Sequence, residues 1–385
     1  MFKRTIKDNL PKASFFLFGP RQVGKSTLLA RIPSLATIDL LDPREQLAFN
    51  KSPWLLAERV DALSPRGTVI IDEVQKVPKL LDVVHALMER RKGLRFVMSG
   101  SSARKLRRGA SNLLGGRAIY RTLHPLTARE MGESFKLDKV LAYGSLPGIW
   151  TRLVDGDEDT VRDLLRSYVI TYLQEEVKAE AIIRNLQGFQ GFLDVAAAQF
   201  ASQVNLLGVS RDCQVPYATV REYYSVLEDT LMGFFLESHA GSPRKRMSQR
   251  PRFYFFDNGV TRAMLGNLRG GPSPLEEGRL FEQWFIQEVH RLNQYETKDF
   301  KLSFWRTSHG AEVDLLVESG GRIAFAIECK HKKSIGKADL TGLAAFHDTF
   351  PKVPCYLVAP LRERQKIGFV EAIPPLDMLG ILDRS

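Results

Sequence analysis

The sequence predicts a multidomain α/β protein, on three observations. First, Gly19-Pro20-Arg21-Gln22-Val23-Gly24-Lys25-Ser26 reads G-x-x-x-x-G-K-S between an apolar run, residues 15–18, and a helix-forming run, residues 26–31. Second, short β-favouring stretches alternate with helical ones up to Glu133, the pattern of a parallel sheet covered on both faces. Third, a helix with Glu282, a strand with Asp314 and a strand ending Glu328-Cys329-Lys330 follow one another near the C-terminus.

Composition sets the frame. The chain has 385 residues, 44% hydrophobic and 26% charged, ordinary for a globular protein with several cores. No apolar run approaches the ~20 residues that span a bilayer, so no membrane partner is expected. The start, Met1-Phe2-Lys3-Arg4-Thr5, lacks the apolar segment of a secretory signal, and the 3 cysteines are unpatterned. Both point to a cytoplasmic protein without structural zinc; the 7 histidines show no metal-binding spacing. A net charge of +11 favours polyanionic partners, nucleic acid first.

The G-x-x-x-x-G-K-S stretch is a phosphate-binding loop. Gly19 and Gly24 let the backbone curl around phosphate oxygens, and the following helix presents its positive end. Lys25 reaches the β and γ phosphates, the Ser26 hydroxyl binds Mg²⁺, and Thr27 continues the contact surface. Residues 36–40 read as a second strand, and residues 43–50 and 53–62 as helices with Pro in the first turn. Thr68-Val69-Ile70-Ile71-Asp72-Glu73 is a buried strand ending in two acids, the Walker B pattern: Asp72 holds Mg²⁺ and Glu73 polarises the attacking water. A further strand, residues 95–98, ends at Ser99-Gly100-Ser101, where Ser99 or Ser101 senses the γ-phosphate or the water. Gly115-Gly116-Arg117 precedes a fifth strand, residues 118–123. Arg117 reads either as a transition-state arginine, within the chain or in a neighbouring subunit, or as a surface arginine. ATP and Mg²⁺ are the expected cofactors.

Together, GPRQVGKS, residues 69–78 (VIIDEVQKVP), Ser99-Gly100-Ser101 and Gly116-Arg117 resemble the prokaryotic AAA+-type ATPases that carry a C-terminal DUF4143-type, PD-(D/E)xK nuclease-like domain. The resemblance covers nearly the whole chain, with Ser26 where many members have Thr. It implies an AAA+-like core and, because many AAA+ ATPases work as rings with arginines supplied in trans, a homo-oligomer.

Residues 143–148 are a turn-rich junction, and residues 157–186 form a charged helical connector with Leu164, Leu165, Tyr168, Val169 and Tyr172 on one face. A helix over residues 192–204, a short capped helix near Gly208 and a Pro-started helix from Pro216 precede two strands, residues 231–238 and 252–256. This order resembles a winged helix whose wing, from Arg244 to Arg252, carries five cations. Arg221 and the wing would meet phosphates, though winged helices also serve for packing and protein contacts.

Gly270-Gly271-Pro272-Ser273-Pro274 reads as a linker. The helix of residues 275–293, the strands of residues 303–306, 312–317 and 322–328, and a later helix–strand pair (337–350, 355–359) give the order of PD-(D/E)xK nucleases. Asp314 and Glu328 bind one or two Mg²⁺ or Mn²⁺ ions, hard cations that prefer carboxylate oxygen, and Glu282 completes the site. Lys330, two residues past Glu328, faces the same side of its strand and orients the water. Lys332, Lys333 and Lys337 would meet substrate phosphates; His309 and His331 read as surface or phosphate contacts.

The expected organisation is an AAA+-type core (1–133), a helical lid or connector (134–187), a winged-helix-like domain (188–270) and a restriction-endonuclease-like α/β domain (271–385). The expected function is ATP-dependent processing of DNA, with nuclease roles for Glu282, Asp314, Glu328 and Lys330. Phosphate contacts do not distinguish sugars, so RNA stays open beside DNA. The alternative is a nucleotide-dependent switch or assembly protein whose nuclease-like domain only binds.

Overall fold

A computed structural model describes residues 2–101, 114–172, 185–239 and 249–385. They form two compact units: Met1–Leu126 with Asp229–Met232, and Thr127–Glu228 with Gly233–Ser385.

The first unit is built on a five-stranded sheet, β1 (Phe15–Phe18), β2 (Ala36–Asp39), β3 (Gly67–Asp72), β4 (Leu94–Gly100) and β5 (Ile119–Thr122), in the order β2-β3-β4-β1-β5. Every neighbouring pair is parallel. All four residues of β1 are buried, as a strand covered on both faces requires, and so its sequence shows no alternation. The helices α1 (Lys25–Leu29), α2 (Pro43–Lys51) and α3 (Leu55–Asp61) follow the predicted order, and α4 (Leu80–Arg90), which was not named from the sequence, precedes β4. Asp42 caps α2 by accepting the Arg44 N–H, with Pro43 in the first turn. Phe16, Ile38, Phe49, Ile71, Val84 and Phe96 share one core. Because β4 lies between β1 and β3, the C-terminal ends of these three strands open on one sheet edge, where ligands bind in α/β folds.

The second unit begins with a capping box, in which the Thr127 hydroxyl accepts the Glu130 N–H and the Glu130 carboxylate accepts the Thr127 N–H; it opens α5 (Ala128–Met131). Helices α6 (Leu137–Tyr143), α7 (Pro147–Val154) and α8 (Glu158–Tyr172) follow. The expected connector helix is thus seen to Tyr172, and its continuation over 173–184 lies outside the described residues. Then come α9 (Leu186–Ala198), α10 (Leu206–Asp212), α11 (Tyr217–Asp229) and an antiparallel pair, β6 (Gly233–Leu236) and β7 (Arg252–Phe255). The wing cations Arg244, Lys245 and Arg246 also lie outside the described residues. After α12 (Asn258–Met264), the long α13 (Pro274–Glu296) runs beside a six-stranded sheet of β8 (Lys301–Arg306), β9 (Glu312–Ser319), β10 (Arg322–Cys329), β11 (Cys355–Val358), β12 (Gln365–Ile367) and β13 (Val370–Ile373). The order is β12-β13-β11-β10-β9-β8. β8-β9-β10 is an antiparallel meander, and β11 joins β10 in parallel after crossing through α14 (Thr341–Thr349). Pro375–Arg384 closes the chain as α15.

Helix α13 is pinned through its buried polar face. Gln283 Oε1 accepts the Phe255 N–H at 3.0 Å, and Gln287 Nε2 donates to Phe255 O at 2.5 Å. One helical turn thus satisfies both backbone groups of the last β7 residue, groups that burial would otherwise leave costly. Among the described residues no helix is long and apolar enough to cross a membrane.

His290 lies on the same helix, stacked on Phe234 at 4.1 Å between ring centroids. Burial, helped by the charge of Arg291, pushes its pKa down to about 4. The unfolded chain takes up that proton near the ordinary value of 6.5, so stability falls as pH drops from about 6.5 towards 4. The loss from this residue is on the order of 3 kcal/mol. Denaturant titrations of His290→Phe should show a correspondingly smaller acid-side loss than wild type; parallel pH profiles would refute the assignment.

Candidate functional site

In the first unit the loop after β1 closes on itself. A Cβ added to Gly19 would lie 2.4 Å from Leu123 O, so the loop cradle excludes any larger residue there. Gly24, which caps α1, has φ +94°, a conformation that favours glycine. Lys25 is buried, its ammonium donating to Gly19 O at 2.8 Å and Pro20 O at 3.0 Å. It lies curled across the loop that Gly19, Pro20, Arg21, Gln22 and Val23 form, with Ser26 and Thr27 in the first turn of α1.

The two halves of the predicted site meet. The Ser26 hydroxyl donates to Asp72 Oδ2 at 2.7 Å. The Ser99 hydroxyl donates to Asp72 Oδ1 and accepts the Glu73 N–H at 3.3 Å. Asp72 Oδ1 also accepts the Glu73 N–H, at 3.1 Å. Glu73 itself has φ 58°, strained backbone of the kind that collects at functional sites. Its carboxylate accepts from Gln75 Nε2, which also donates to Ser101 Oγ at 3.2 Å. Ser99, expected as a sensor, therefore holds both acids. Arg117 stands apart from this network: it is exposed and pairs with Glu89 at 2.7 Å, and Lys92 and then Arg117 hold the Glu89 carboxyl below its usual range. The donor set suits Mg²⁺ with a nucleotide: a hydroxyl and a carboxylate side by side, and a lysine at the loop mouth.

In the second unit Glu282 (α13), Asp314 (β9), and Glu328 and Lys330 (at and just past the end of β10) come to one place, as predicted. Each of the predicted metal ligands is bonded to a cationic side chain. Arg252, the first residue of β7, is 4% exposed and sits among them. Its Nη1 donates to Glu282 Oε1 at 2.8 Å and to Asp314 Oδ1 at 3.1 Å, and its Nη2 pairs with Glu312 at 2.9 Å. Its guanidinium also lies 4.9 Å from the Phe304 ring centroid. The second Asp314 oxygen accepts the Cys329 N–H at 2.9 Å, and the Tyr254 hydroxyl donates to Glu282 at 2.6 Å. Lys330 Nζ is held by Glu328 Oε1 at 2.6 Å, while Glu328 Oε2 is buried without a hydrogen-bond partner among the described residues. Burial, and then the charge of Asp314, push Glu282 up to about 7 and Glu328 up to about 8. Among the described residues no group of three or more His, Cys, Asp or Glu is arranged to hold a metal.

One sequence expectation changes here. Arg252 does not belong to an exposed basic wing: it is a buried counter-ion, because β7 is buried at all four positions. Lys332, expected to meet phosphate, is exposed and pairs with Asp339, and His331 pairs with Glu277 at 3.4 Å. Lys333, Lys337, Arg221 and Arg250 are exposed. The sequence reading passed over Arg4, Gln75, Tyr254 and Glu312. Gln75 lies inside the IDEVQ string; the other three carry no local signal.

Arg4 is buried and spans the first unit's site from outside the motif, donating to Val23 O at 2.6 Å and to His124 O at 2.5 Å. It ties the phosphate loop to the chain after β5. Arg4→Ala should cost roughly 1.5–3 kcal/mol and weaken ATP binding, read by denaturation and by nucleotide titration; unchanged affinity would show that the loop keeps its shape alone.

The family models match the chain in three segments. Residues 12–132 match the AAA domain family, residues 134–269 a domain of unknown function (DUF8612) and residues 277–378 a domain of unknown function (DUF4143). Uncharacterized proteins Mb2031c of Mycobacterium bovis and Rv2008c of Mycobacterium tuberculosis are each 28% identical over 328 residues, 84% of this chain and 71% of theirs. Among solved structures, the Walker-type ATPase PABY2304 of Pyrococcus abyssi aligns with a TM-score of 0.45 at 15% identity, over 68% of this chain and 93% of that one. The Bacillus subtilis DNA clamp loader delta protein (YqeN) aligns with a TM-score of 0.23 at 12% identity, over 74% and 98%. With the loop, Asp72 and Glu73 assembled on one sheet edge, the family matches give the conclusion: the chain carries an AAA-type P-loop ATPase domain and a C-terminal DUF4143 domain.

Proposed function

We propose that the chain is an ATP-hydrolysing AAA+-type switch, cytoplasmic, that acts on DNA through its second unit. The observation that carries this is the meeting of Ser26 and Asp72 at 2.7 Å, with Glu73 next in the chain and Ser99 bonded to both acids. Mg²⁺, when bound with nucleotide, supplies charge neutralisation at the phosphates. Ser26 and Asp72 would hold it, exchanging their mutual hydrogen bond for the ion. Lys25 would leave the carbonyls of Gly19 and Pro20 for the more negative phosphates, keeping its burial paired. Glu73, steadied by Gln75, would take the proton of the attacking water. Ser99 would keep Asp72 and Glu73 in register as charge shifts.

DNA is favoured by the +11 net charge and by the helix–helix–helix–hairpin order of α9, α10, α11, β6 and β7, a winged-helix-like arrangement with Arg221 exposed on its third helix. RNA would satisfy the same phosphate contacts. A ring of copies would let Arg117 reach a neighbouring nucleotide once its surface pair with Glu89 broke, a weak interaction in water.

A second reading, metal-dependent DNA cleavage, has its own support: Glu282, Asp314, Glu328 and Lys330 do converge, on a meander-plus-crossover topology that suits a PD-(D/E)xK nuclease. It requires Arg252 to leave the cluster, and for that reason the switch is the better-supported reading.

ATP turnover and DNA retention test the proposal together. Glu73→Gln should bind ATP but hydrolyse it about 10²-fold or more slowly, the usual value of a general base. Lys25→Ala should lose ATP binding. DNA binding by the full chain should weaken steeply with salt and respond to which nucleotide is bound. Undiminished turnover in Glu73→Gln, or DNA binding indifferent to nucleotide, would overturn the switch.

A further inference from the structure

The geometry points to Arg252 as a tethered cation standing where a divalent metal would have to sit, so that the carboxylate cluster of the second unit is closed to metal in the native chain. Three contacts carry this. A single guanidinium nitrogen, Nη1, donates to both Glu282 Oε1 and Asp314 Oδ1, the two oxygens that a bridging ion would share. The other Asp314 oxygen, Oδ2, accepts the Cys329 N–H. The third expected ligand, Glu328, is engaged by Lys330 through Oε1, its Oε2 being buried without a hydrogen-bond partner among the described residues. A Mg²⁺ or Mn²⁺ ion takes about six oxygens in near-octahedral geometry and gives up its water reluctantly. To enter, it has to displace an arginine already bonded to two of the three expected ligands.

The arrangement also has a structural purpose. Arg252 starts β7, Glu282 lies on α13, and Asp314 and Glu312 lie on β9, so one buried cation ties a hairpin to a helix and a sheet. Removing one partner of such a network leaves buried charge uncompensated. A metal would neutralise the carboxylates equally well but would not hold β7. The chain therefore uses its own side chain for a charge that a nuclease would take from solution.

This inference rests on reading the cluster as nuclease-like and not on ATP hydrolysis; a chain without ATP turnover would leave it standing. The test is Mn²⁺ binding to the full nucleotide-free chain, followed by the loss of the free-ion paramagnetic resonance signal. Wild type and Asp314→Asn should bind Mn²⁺ alike. Arg252→Ala and the bulkier Arg252→Gln should gain about one further equivalent, lost again when Asp314→Asn is added. Wild type binding one Mn²⁺ that Asp314→Asn abolishes would overturn the inference, and this arm decides even if the Arg252 variants do not fold. Folded Arg252 variants that gain no ion would overturn it as well.

Discussion

A carboxylate removed from water has to be met by donors or cations within hydrogen-bond reach, and both clusters in this chain are shaped by how that demand is answered. Asp72, 6% exposed, is met by two hydroxyls and an amide. None of these donors carries a charge, so the site stays negative and accommodates Mg²⁺. Asp314, 5% exposed, is met by an amide and a guanidinium. Arg252, shared with Glu282 and Glu312, offsets part of its charge in place. Two acids of similar burial are thus met by different partners, one set neutral and the other including a cation.

The sheet of the first unit makes the Asp72 arrangement unavoidable. Inserting β4 between β1 and β3 puts Ser99 between the phosphate loop and the Walker B acids, with Ser99 in register with Leu17 of β1. Its hydroxyl reaches the end of β3, at the Asp72 carboxylate and the Glu73 N–H. The left-handed backbone at Glu73 then turns its carboxylate towards Gln75 and away from a continuing strand. In the second unit the order of events differs: the pieces of the cluster come from β7, α13, β9 and β10, and the network forms only when hairpin, helix and sheet have packed.

That contrast explains what the sequence could and could not reveal. Lys25, Ser26, Asp72 and Glu73 were legible because the phosphate loop is contiguous and each acid stands at the end of an apolar strand. The strands of the first sheet followed for the same reason, while the helix expected over 192–204 begins at Leu186 and ends at Ala198. Glu282, Asp314, Glu328 and Lys330 were also found together, since helix, strand and E-x-K spacing is local to each element. Arg252 was misjudged because it continues a run of cations, where charge density suggests a solvated surface. The competing signal was the run Phe253-Tyr254-Phe255, which makes Arg252 the first residue of a fully buried strand. Arg4 had no signal at all: its role depends on Val23 and on His124, 120 residues away along the chain.

The most direct test of the claim that one carboxylate cluster is built for metal and the other is neutralised from within is a cleavage assay. The full chain would be incubated with labelled duplex, junction, flap and single-stranded DNA, with Mg²⁺ or Mn²⁺, with and without ATP, beside Asp314→Ala. The expected result is no cleavage that distinguishes the two proteins, under conditions in which wild type hydrolyses ATP. Cleavage of any of these DNAs by wild type that disappears in Asp314→Ala would contradict the account and show that Arg252 yields its place to a metal.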